Sequence, residues 1–291
     1  MRYFSTIGSN AISNCFGISS CERIMSSILY PERESMLATA IHAAREAGRV
    51  LLNFYRRPHE ISTKGLRDIT TEADLAAEKL VMEIIRQECP GACFCSEETA
   101  NDMPAESDAP VWYIDPLDGT TNYARGLPMF CVSVAMARRG VVQCGAVYDP
   151  LVNDLFTAER GQGAFLNGQP LHVSERATLA EATILVDWPR DQVLRERNAR
   201  FVAQVAPLVD SVRSRGCAAQ TICCVAAGWA EAYFQYTLKP WDVAAGILIL
   251  EEAGGCVTDL HGQPAHLHRP DWLCTNGRIH NEMLALDPLN A

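Results

Sequence analysis

A short stretch in the middle of the chain places two carboxylates at a turn. Residues 111–114 are all apolar, which is typical of a short buried strand. Asp115 follows this stretch directly and Asp118 comes three residues later, with Pro116 between them, where we expect it to end sheet pairing. Such a turn can aim both carboxylates and the carbonyl oxygen of Leu117 at one point. Because Mg²⁺ prefers hard oxygen ligands, these residues predict a magnesium site.

The residues that follow the second aspartate could bind an anion. Gly119 and Thr120 open the next segment, and their backbone N–H groups would face a phosphate, as at a helix N-terminus. The alternative is structural, because Asp-Pro and Asp-Gly are common turn dipeptides whose aspartates usually cap and solvate the loop. Residue types alone leave both interpretations open.

The complete string of residues 115–122, Asp-Pro-Leu-Asp-Gly-Thr-Thr-Asn, resembles a signature of the inositol monophosphatase family. That family consists of Mg²⁺-dependent, lithium-sensitive phosphatases of small phosphate esters. A second signature, Trp-Asp-x-Ala-Ala-Gly followed by Glu-Ala-Gly-Gly, matches residues 241–255. The resemblance extends from about residue 35 to the C-terminus.

The resemblance implies a site with two Mg²⁺ and a third, weaker ion near Glu97. Asp115 would bridge two ions, while Thr120, oriented by Asp74, would hold the attacking water with Glu97 and take its proton. No covalent intermediate is implied. The implied metal ligands are Glu97, Asp115, the carbonyl of Leu117, Asp118 and Asp242. The implied substrate contacts are Asp118, Gly119, Thr120, Ala218, Gln235 and Asp242.

Several of these residues also have a structural interpretation. Asp242 follows Pro-Trp at the start of a helical pattern, where aspartate is a good N-cap. Thr71 and Asp74 fit a loose capping box, and Glu97-Glu98 after a strand is typical of a solvated edge. Capping and catalysis do not exclude each other.

The acidic residues make sense together only if cations are present. Carboxylates crowded at one site repel one another, and their pKa values rise unless positive charge is near. We therefore predict raised pKa values in the metal-free protein. The residues concerned are Asp74, Glu97, Asp115, Asp118 and Asp242.

The substrate is less well defined by the sequence. Family members specific for inositol phosphate carry a glutamate seven residues before the second metal aspartate, where this chain has Gln235. Glutamine keeps the shape, loses the charge and adds a donor, so we expect tolerance of other small phosphates. Alternatively, Gln235 only finishes a strand. Lys64 lies on a segment that could touch the phosphate or simply be solvated, and Asp191 falls loosely near a substrate-pocket position.

The resemblance makes inositol 1-phosphate the default substrate of a phosphatase. Histidinol phosphate and fructose 1,6-bisphosphate are alternatives within the same reaction class. A non-catalytic regulator that binds sugar phosphate is the alternative of another class.

Composition restricts the partners. The formal net charge of −10 argues against nucleic acid and anionic membranes. The 12 cysteines have irregular spacing, which favours reduced, mostly buried thiols in a cytoplasmic protein over a disulfide scaffold. His266 and His268 could ligate a metal, but two histidines in a Pro-rich loop are more often surface residues. No apolar run is long enough for a membrane span. Residues 1–30 could be an organelle transit segment or an over-long start.

The periodicity predicts how the site is positioned. One helix is expected from residue 35 until Pro58 stops it, and a second amphipathic helix is expected to end at Glu88. Several antiparallel strands should follow the central motif. Beyond residue 180 we expect alternating strands and helices, including a helix over 192–209. The resemblance implies a layered αβαβα sandwich shared with fructose-1,6-bisphosphatase, in a homodimer. We expect three parts: a disordered extension (1–30), an α+β half with the main metal motif (31–178) and an α/β half that supplies Asp242 (179–291).

Overall fold

The computed structural model describes residues 33–99, 109–264 and 266–289. The predicted N-terminal extension, residues 1–30, lies outside this part of the chain. Within it, no helix combines the length and the apolar character that a membrane crossing requires.

Two long helices form one outer layer, as the sequence predicts. They are α1 (Arg33–Phe54) and α2 (Glu72–Glu88). Ala40, Ala44 and Ala47 are completely buried on one face of α1, so small side chains let this helix lie close to its neighbours. Between the helices lies a hairpin, β1 (Ile61–Gly65) and β2 (Asp68–Thr71), whose strands the sequence does not predict.

A seven-stranded sheet packs against these helices, and its strands follow one another in chain order. Only β3 and β4 are parallel, and the remaining neighbours are antiparallel. Trp112 and Ile114 face the α1–α2 layer, whereas Tyr113 faces the opposite side, as a period of two requires. The strands are β3 (Cys93–Ser96), β4 (Val111–Asp118), β5 (Cys131–Arg138), β6 (Val141–Asp149), β7 (Asp154–Glu159), β8 (Ala164–Leu166) and β9 (Gln169–Pro170).

The expectation that Pro116 ends the pairing of β4 is wrong. Asp115 pairs with Ser133, the register then shifts, and Asp118 pairs with Cys131. Two residues of β4 thus oppose one residue of β5, which is a β-bulge that accommodates the missing N–H of proline. Ser133 and Cys131 are two residues apart and therefore share a face of the sheet. The bulge consequently brings Asp115 and Asp118, three residues apart, onto one face.

A second sheet of five strands has the order β11-β10-β12-β14-β13. The sequence predicts β10 and β12 but not β11, β13 or β14. The strands are β10 (Thr183–Val186), β11 (Ser211–Ser214), β12 (Ala232–Gln235), β13 (Cys256–Thr258) and β14 (Trp272–Thr275).

Two inner helices lie between the sheets, α5 (Ala218–Ala226) and α6 (Pro240–Glu252). Their apolar residues share one core with both sheets, for example Leu248 with Val147 on one side and Trp272 on the other. The outer face of the second sheet is covered by α4 (Gln192–Val205) and α7 (His280–Ala285). The layers are therefore helix, sheet, helix, sheet, helix, which confirms the predicted αβαβα sandwich.

The predicted helix over 192–209 is correct only in part. The α-helix α4 ends at Val205, and one 3₁₀ turn, Ala206–Leu208, follows. Pro207 lacks the N–H that a continuing α-helix needs. The division of the chain at residue 178 stays a prediction.

Candidate active site

The face of β4 that carries Asp115 and Asp118 points toward the inner helices. Asp115 is 2% exposed, and its Oδ1 accepts a hydrogen bond from the backbone N–H of Leu117 at 3.0 Å. This local turn fixes the carboxylate in place. On the same face, the Ser133 hydroxyl lies 3.4 Å from the carbonyl oxygen of Trp241 at the start of α6.

Asp118 is held at the N-terminus of α5. The backbone N–H of Ala218 donates to its Oδ1 at 2.9 Å, and that of Ala219 donates to its Oδ2 at 2.6 Å. These amides stabilise the charged form, as does the Cys217 thiol at 3.2 Å from Oδ2. Burial nevertheless raises the pKa of Asp118 above its ordinary value, so the amides offset only part of the desolvation.

Asp242 enters the site from the first turn of α6. The interpretation of Asp242 as the N-cap is wrong, because Lys239 is the N-cap and Asp242 is the third residue of the helix. Its Oδ2 instead accepts a hydrogen bond from the backbone N–H of Lys239 at 2.7 Å, as the third residue of a capping box does. Burial raises the pKa of Asp242 well above its ordinary value, and the negative charges of Glu97 and Asp118 add to the effect. Asp242 is therefore close enough to the other carboxylates to be affected by their negative charge.

Glu97 follows β3, and its backbone N–H donates to the carbonyl of Ile114 at 3.2 Å, next to the start of the bulge. Lys64 reaches over from the hairpin: its Nζ lies 2.6 Å from Glu98 Oε1 and 3.6 Å from Glu97 Oε1. Lys64 thus forms ion pairs while remaining exposed to solvent. Burial raises the pKa of Glu97 to about 7, although the charge of Lys64 opposes the rise.

Asp74 and Thr120 form a hydrogen-bonded pair beside the bulge. The Thr120 hydroxyl lies 3.2 Å from Asp74 Oδ1 and 3.0 Å from the carbonyl oxygen of Leu117. The other oxygen of Asp74 accepts hydrogen bonds from the backbone N–H (2.9 Å) and the hydroxyl (2.5 Å) of Thr71. Asp74 therefore caps α2 and contacts Thr120 at once. Burial raises its pKa to about 6.

The predicted rise in pKa is found for all five acidic residues, and burial is its main cause in each of them. For Asp115, burial is the main cause, followed by the charges of Glu97, Asp118 and Asp242. The donors fit Mg²⁺, because they are carboxylate and carbonyl oxygens whose buried charge a cation would offset. Asp118 also lies beside two thiols, which are softer ligands. Among the residues that the structure describes, one group of three His, Cys, Asp or Glu side chains has ligand atoms that all lie within 4.8 Å of one another, and it consists of Asp118, Cys131 and Cys217.

The turn after Asp118 requires glycine. Gly119 has φ +94°, and a Cβ there would lie 2.8 Å from the carbonyl oxygen of Met129. The short helix α3 (Thr120–Ala124) starts directly after it, so the backbone of Gly119 and Thr120 lies beside the acidic residues.

The remaining predicted substrate residues are placed differently from one another. Ala218 is the first residue of α5, and its N–H is already engaged by Asp118. Gln235 ends β12, is 4% exposed and uses its Oε1 to accept the backbone N–H of Tyr236 at 2.8 Å. Asp191 caps α4 by accepting the N–H of Leu194 at 2.9 Å. His266 and His268 lie in an exposed loop with their ring centroids 5.6 Å apart and their ring planes tilted by 50°.

Sequence reasoning missed Asp187, which holds the turn before α5. Its Oδ1 accepts the backbone N–H groups of Arg215 at 3.2 Å and Gly216 at 2.6 Å, and Tyr233 donates to its Oδ2 at 3.2 Å. Burial raises its pKa to about 6. Asp187 thereby positions the amides that hold Asp118. It belongs to no motif, so no signal in the sequence could have found it.

Arg190 is a second residue that the sequence analysis missed. Its guanidinium forms an ion pair with Asp68 at 2.8 Å, and Arg67 of the hairpin donates to its carbonyl oxygen at 2.8 Å. The charge of Arg190 lowers the pKa of both Glu97 and Asp242 against the effect of burial. Arg190 therefore supplies positive charge near the carboxylates.

The fold is thus a layered αβαβα sandwich, with buried carboxylates and a paired threonine where strands and helices meet. The chain belongs to the inositol monophosphatase family, whose model matches residues 32–287.

Individual relatives cover most of the chain. It is 40% identical to "Nus factor SuhB" of Pasteurella multocida over 86% of this chain and 94% of that protein. It is 38% identical to "Inositol monophosphatase" of Mesembryanthemum crystallinum over 78% of this chain and 86% of that protein. Among solved structures, the extragenic suppressor protein suhB of Bartonella henselae superimposes with a TM-score of 0.83 at 33% identity, covering 88% of this chain and 99% of that one.

Proposed function

We propose that this protein is a Mg²⁺-dependent phosphatase of small polyol and sugar monophosphates, with inositol 1-phosphate as the default substrate. The observation that carries the proposal is the Thr120–Asp74 pair, which lies against the Leu117 carbonyl between Asp115 and Asp118. A hydroxyl fixed between two acceptors beside metal-binding carboxylates is suited to orient a water. Family membership supports the same reaction class.

The proposed cation ligands are Glu97, Asp115, the Leu117 carbonyl, Asp118 and Asp242. Two to three Mg²⁺ bound there would neutralise the phosphate oxygens and lower the pKa of the attacking water. Asp115 would contact two of them.

The proton of the attacking water needs an acceptor. The Thr120 hydroxyl donates toward Asp74, so its lone pairs are free to accept a hydrogen bond from the water. Asp74, with its pKa raised to about 6 by burial, is then placed to receive the threonine proton, and Glu97 is the second proposed base. The backbone of Gly119 and Thr120 would bind phosphate oxygens.

The substrate alcohol would lie near α5 and the end of β12. Ala218 leaves room for a polyol, and Gln235 would contact its hydroxyls without a negative charge. The nearby positive charges of Lys64 and Arg190 favour substrates with a second anionic group. Fructose 1,6-bisphosphate, which carries a second phosphate, is therefore proposed as an additional substrate, and histidinol phosphate is kept as an alternative of the same reaction class.

The test is Gln235→Glu, assayed by phosphate release from inositol 1-phosphate, histidinol phosphate and fructose 1,6-bisphosphate. We expect kcat/KM to shift several-fold toward inositol 1-phosphate, because hydrogen bonds to charged groups are worth about 1.5–3 kcal/mol against about 1 for neutral ones. Gln162→Glu makes the same charge change at an exposed turn and serves as the control. Unchanged ratios with retained activity would show that Gln235 only finishes its strand.

A second candidate role is favoured by the name of the Pasteurella multocida relative, "Nus factor SuhB". A non-catalytic role of this protein could coexist with hydrolysis. It could also replace hydrolysis, and the protein would then be a regulator that binds sugar phosphate without cleaving it. The variant Asp242→Asn, which we expect to be inactive, separates the catalytic role from the non-catalytic one. The variant and the wild type are each expressed in Pasteurella multocida cells that lack the relative. Rescue by the variant as complete as by the wild type would favour the non-catalytic role.

The remaining predictions concern the setting of the protein. Homodimer formation, inhibition by lithium, cytoplasmic location and the absence of a nucleic-acid partner stay predictions.

A further inference from the structure

Two cysteine thiols contact the side chain of Asp118. Cys131 lies on β5 as the pairing partner of Asp118, and Cys217 directly precedes α5. The two Sγ atoms are 3.6 Å apart, and they lie 3.7 Å (Cys131) and 3.2 Å (Cys217) from Asp118 Oδ2. Cys131 and Cys217 are 0% and 1% exposed. The three side chains thus form a closed triangle of ligand atoms.

The edges of this triangle fit a tetrahedral zinc ion. Zn–S bonds of about 2.3 Å and Zn–O bonds of about 2.0 Å place two thiolates about 3.8 Å apart and a thiolate about 3.5 Å from a carboxylate oxygen. The observed edges of 3.6, 3.7 and 3.2 Å are close to these values. The carbonyl oxygen of Asp118 lies 3.3 Å from the Cys217 Sγ and offers a further oxygen at the same place.

We infer that Asp118, Cys131 and Cys217 form a binding site for a thiophilic divalent cation, with Zn²⁺ as the expected ion. Thiolate ligands select such an ion over Mg²⁺, which prefers carboxylates and water. Binding releases the thiol protons to solvent and leaves two thiolates and one carboxylate around the ion. The Ala218 and Ala219 amides, which already donate to Asp118, offset the excess negative charge.

Asp118 cannot serve both sites equally. A cation held by the two thiols would keep Asp118 turned toward α5 and away from Asp115 and Asp242. The site would therefore antagonise the second Mg²⁺ and inhibit hydrolysis, a consequence that rests on the proposed function. The binding itself does not depend on that function.

The first experiment measures binding by spectroscopy. Co²⁺ is titrated as a zinc surrogate into the full chain without Mg²⁺ and with a phosphine reductant, and the thiolate-to-cobalt charge-transfer band is recorded. We expect the band to appear at one equivalent, to vanish on addition of Zn²⁺ and to be absent from Cys131→Ala and Cys217→Ser. Cys144→Ala, which removes a thiol that is 1% exposed in the other core, should keep it.

Two outcomes would overturn the inference: no charge-transfer band in the wild type, or an unchanged band in both site variants. The melting temperature of each variant in chelator shows whether it folds. The two variants change different elements, so one that fails to fold leaves the other to decide.

The second experiment measures inhibition. Each protein is assayed for phosphate release against added Zn²⁺, relative to its own rate without Zn²⁺. We expect the inhibitory concentration to rise at least tenfold in both site variants and not in Cys144→Ala, and to rise with Mg²⁺ in the wild type. Equal inhibition of all proteins would place Zn²⁺ in the carboxylate site and contradict the inference. If the wild type hydrolysed no ester, the proposed function would fail while the charge-transfer band still decided the cation site.

Discussion

At the scale of single residues, each acidic side chain of the site has two roles. Asp74 and Asp242 cap helices, and Asp118 accepts the first amides of α5, so each is fixed by local structure before any cation arrives. Their burial raises the pKa of every one of them. The protein therefore holds charge that is unfavourable without a cation, and this has consequences that can be measured.

Asp242→Asn should stabilise the metal-free protein at neutral pH and abolish turnover. The folded-state pKa of Asp242 lies well above the unfolded value near 3.8, so its contribution to stability is present below about pH 4 and is lost as pH rises. Asparagine does not ionise, so the variant does not lose stability at this position as pH rises. In chelator, the variant should melt higher than the wild type at pH 7, with a difference that shrinks toward pH 4.

Addition of Mg²⁺ should reverse this order, because ligand binding stabilises the wild type more than the variant. Asp210→Asn, at an exposed aspartate, is the control and should not change the melting temperature at any of these pH values. A metal-free Asp242→Asn protein that melts below the wild type at pH 7 would contradict the account of this residue.

Thr120→Val should lower kcat by about 10²–10⁴, the usual contribution of a positioned proton-transfer group. Valine keeps the shape but removes the hydroxyl that contacts Asp74 and Leu117. Thr120→Ser should restore most of the rate, and Thr121→Val, at the exposed neighbour, should leave it unchanged. Steady-state phosphate release gives all three values. A valine variant within a few-fold of the wild type would remove Thr120 from the mechanism.

At the scale of elements, the local patterns predicted much, and the long-range pairing could not be predicted. The helices α1, α2 and α6 and the strand around Tyr113 follow from periodicity, capping and apolar runs. The bulge that unites Asp115 with Asp118 depends on the register with Cys131 and Ser133, which only the folded sheet defines. For the same reason β11, β13 and β14 were missed: they are short strands whose identity comes from their neighbours.

The position of α6 depends on a close approach to β6. A Cβ on Gly145 would lie 2.9 Å from the Cα of Ala245, so the helix that carries Asp242 lies against the sheet only because this residue is glycine. Gly145→Ala should therefore lower the free energy of unfolding by about 1–3 kcal/mol, as overpacking does. Mg²⁺ affinity should fall with it.

Denaturant unfolding with and without Mg²⁺ measures both effects of Gly145→Ala. Gly65→Ala is the matched control, because the nearest atom to its Cβ would be 3.9 Å away. If Gly145→Ala were as stable as this control, the close packing of α6 would not position the site.

At the scale of the whole molecule, the site draws on several layers of the sandwich. Glu97, Asp115 and Asp118 come from the first sheet, and Asp242 comes from a helix that lies between the two sheets. The two signatures identified Asp115, Asp118 and Asp242 as candidate ligands, and the resemblance to the family added Glu97. Asp187 and Arg190 could not be predicted, because their roles arise only when the loop after β10 meets α5 and the hairpin. With a net charge of −10, the proposed hydrolysis of phosphate esters would depend on bound cations and on a few placed basic side chains.

The most direct test of the account is phosphate release from inositol 1-phosphate as a function of Mg²⁺, with the wild type and Asp242→Asn compared in parallel. The account predicts hydrolysis by the wild type that rises with Mg²⁺ and is abolished by chelator. It also predicts release at the background level for Asp242→Asn at every Mg²⁺ concentration. Hydrolysis that persists in chelator, or that Asp242→Asn performs at the wild-type rate in saturating Mg²⁺, would contradict it.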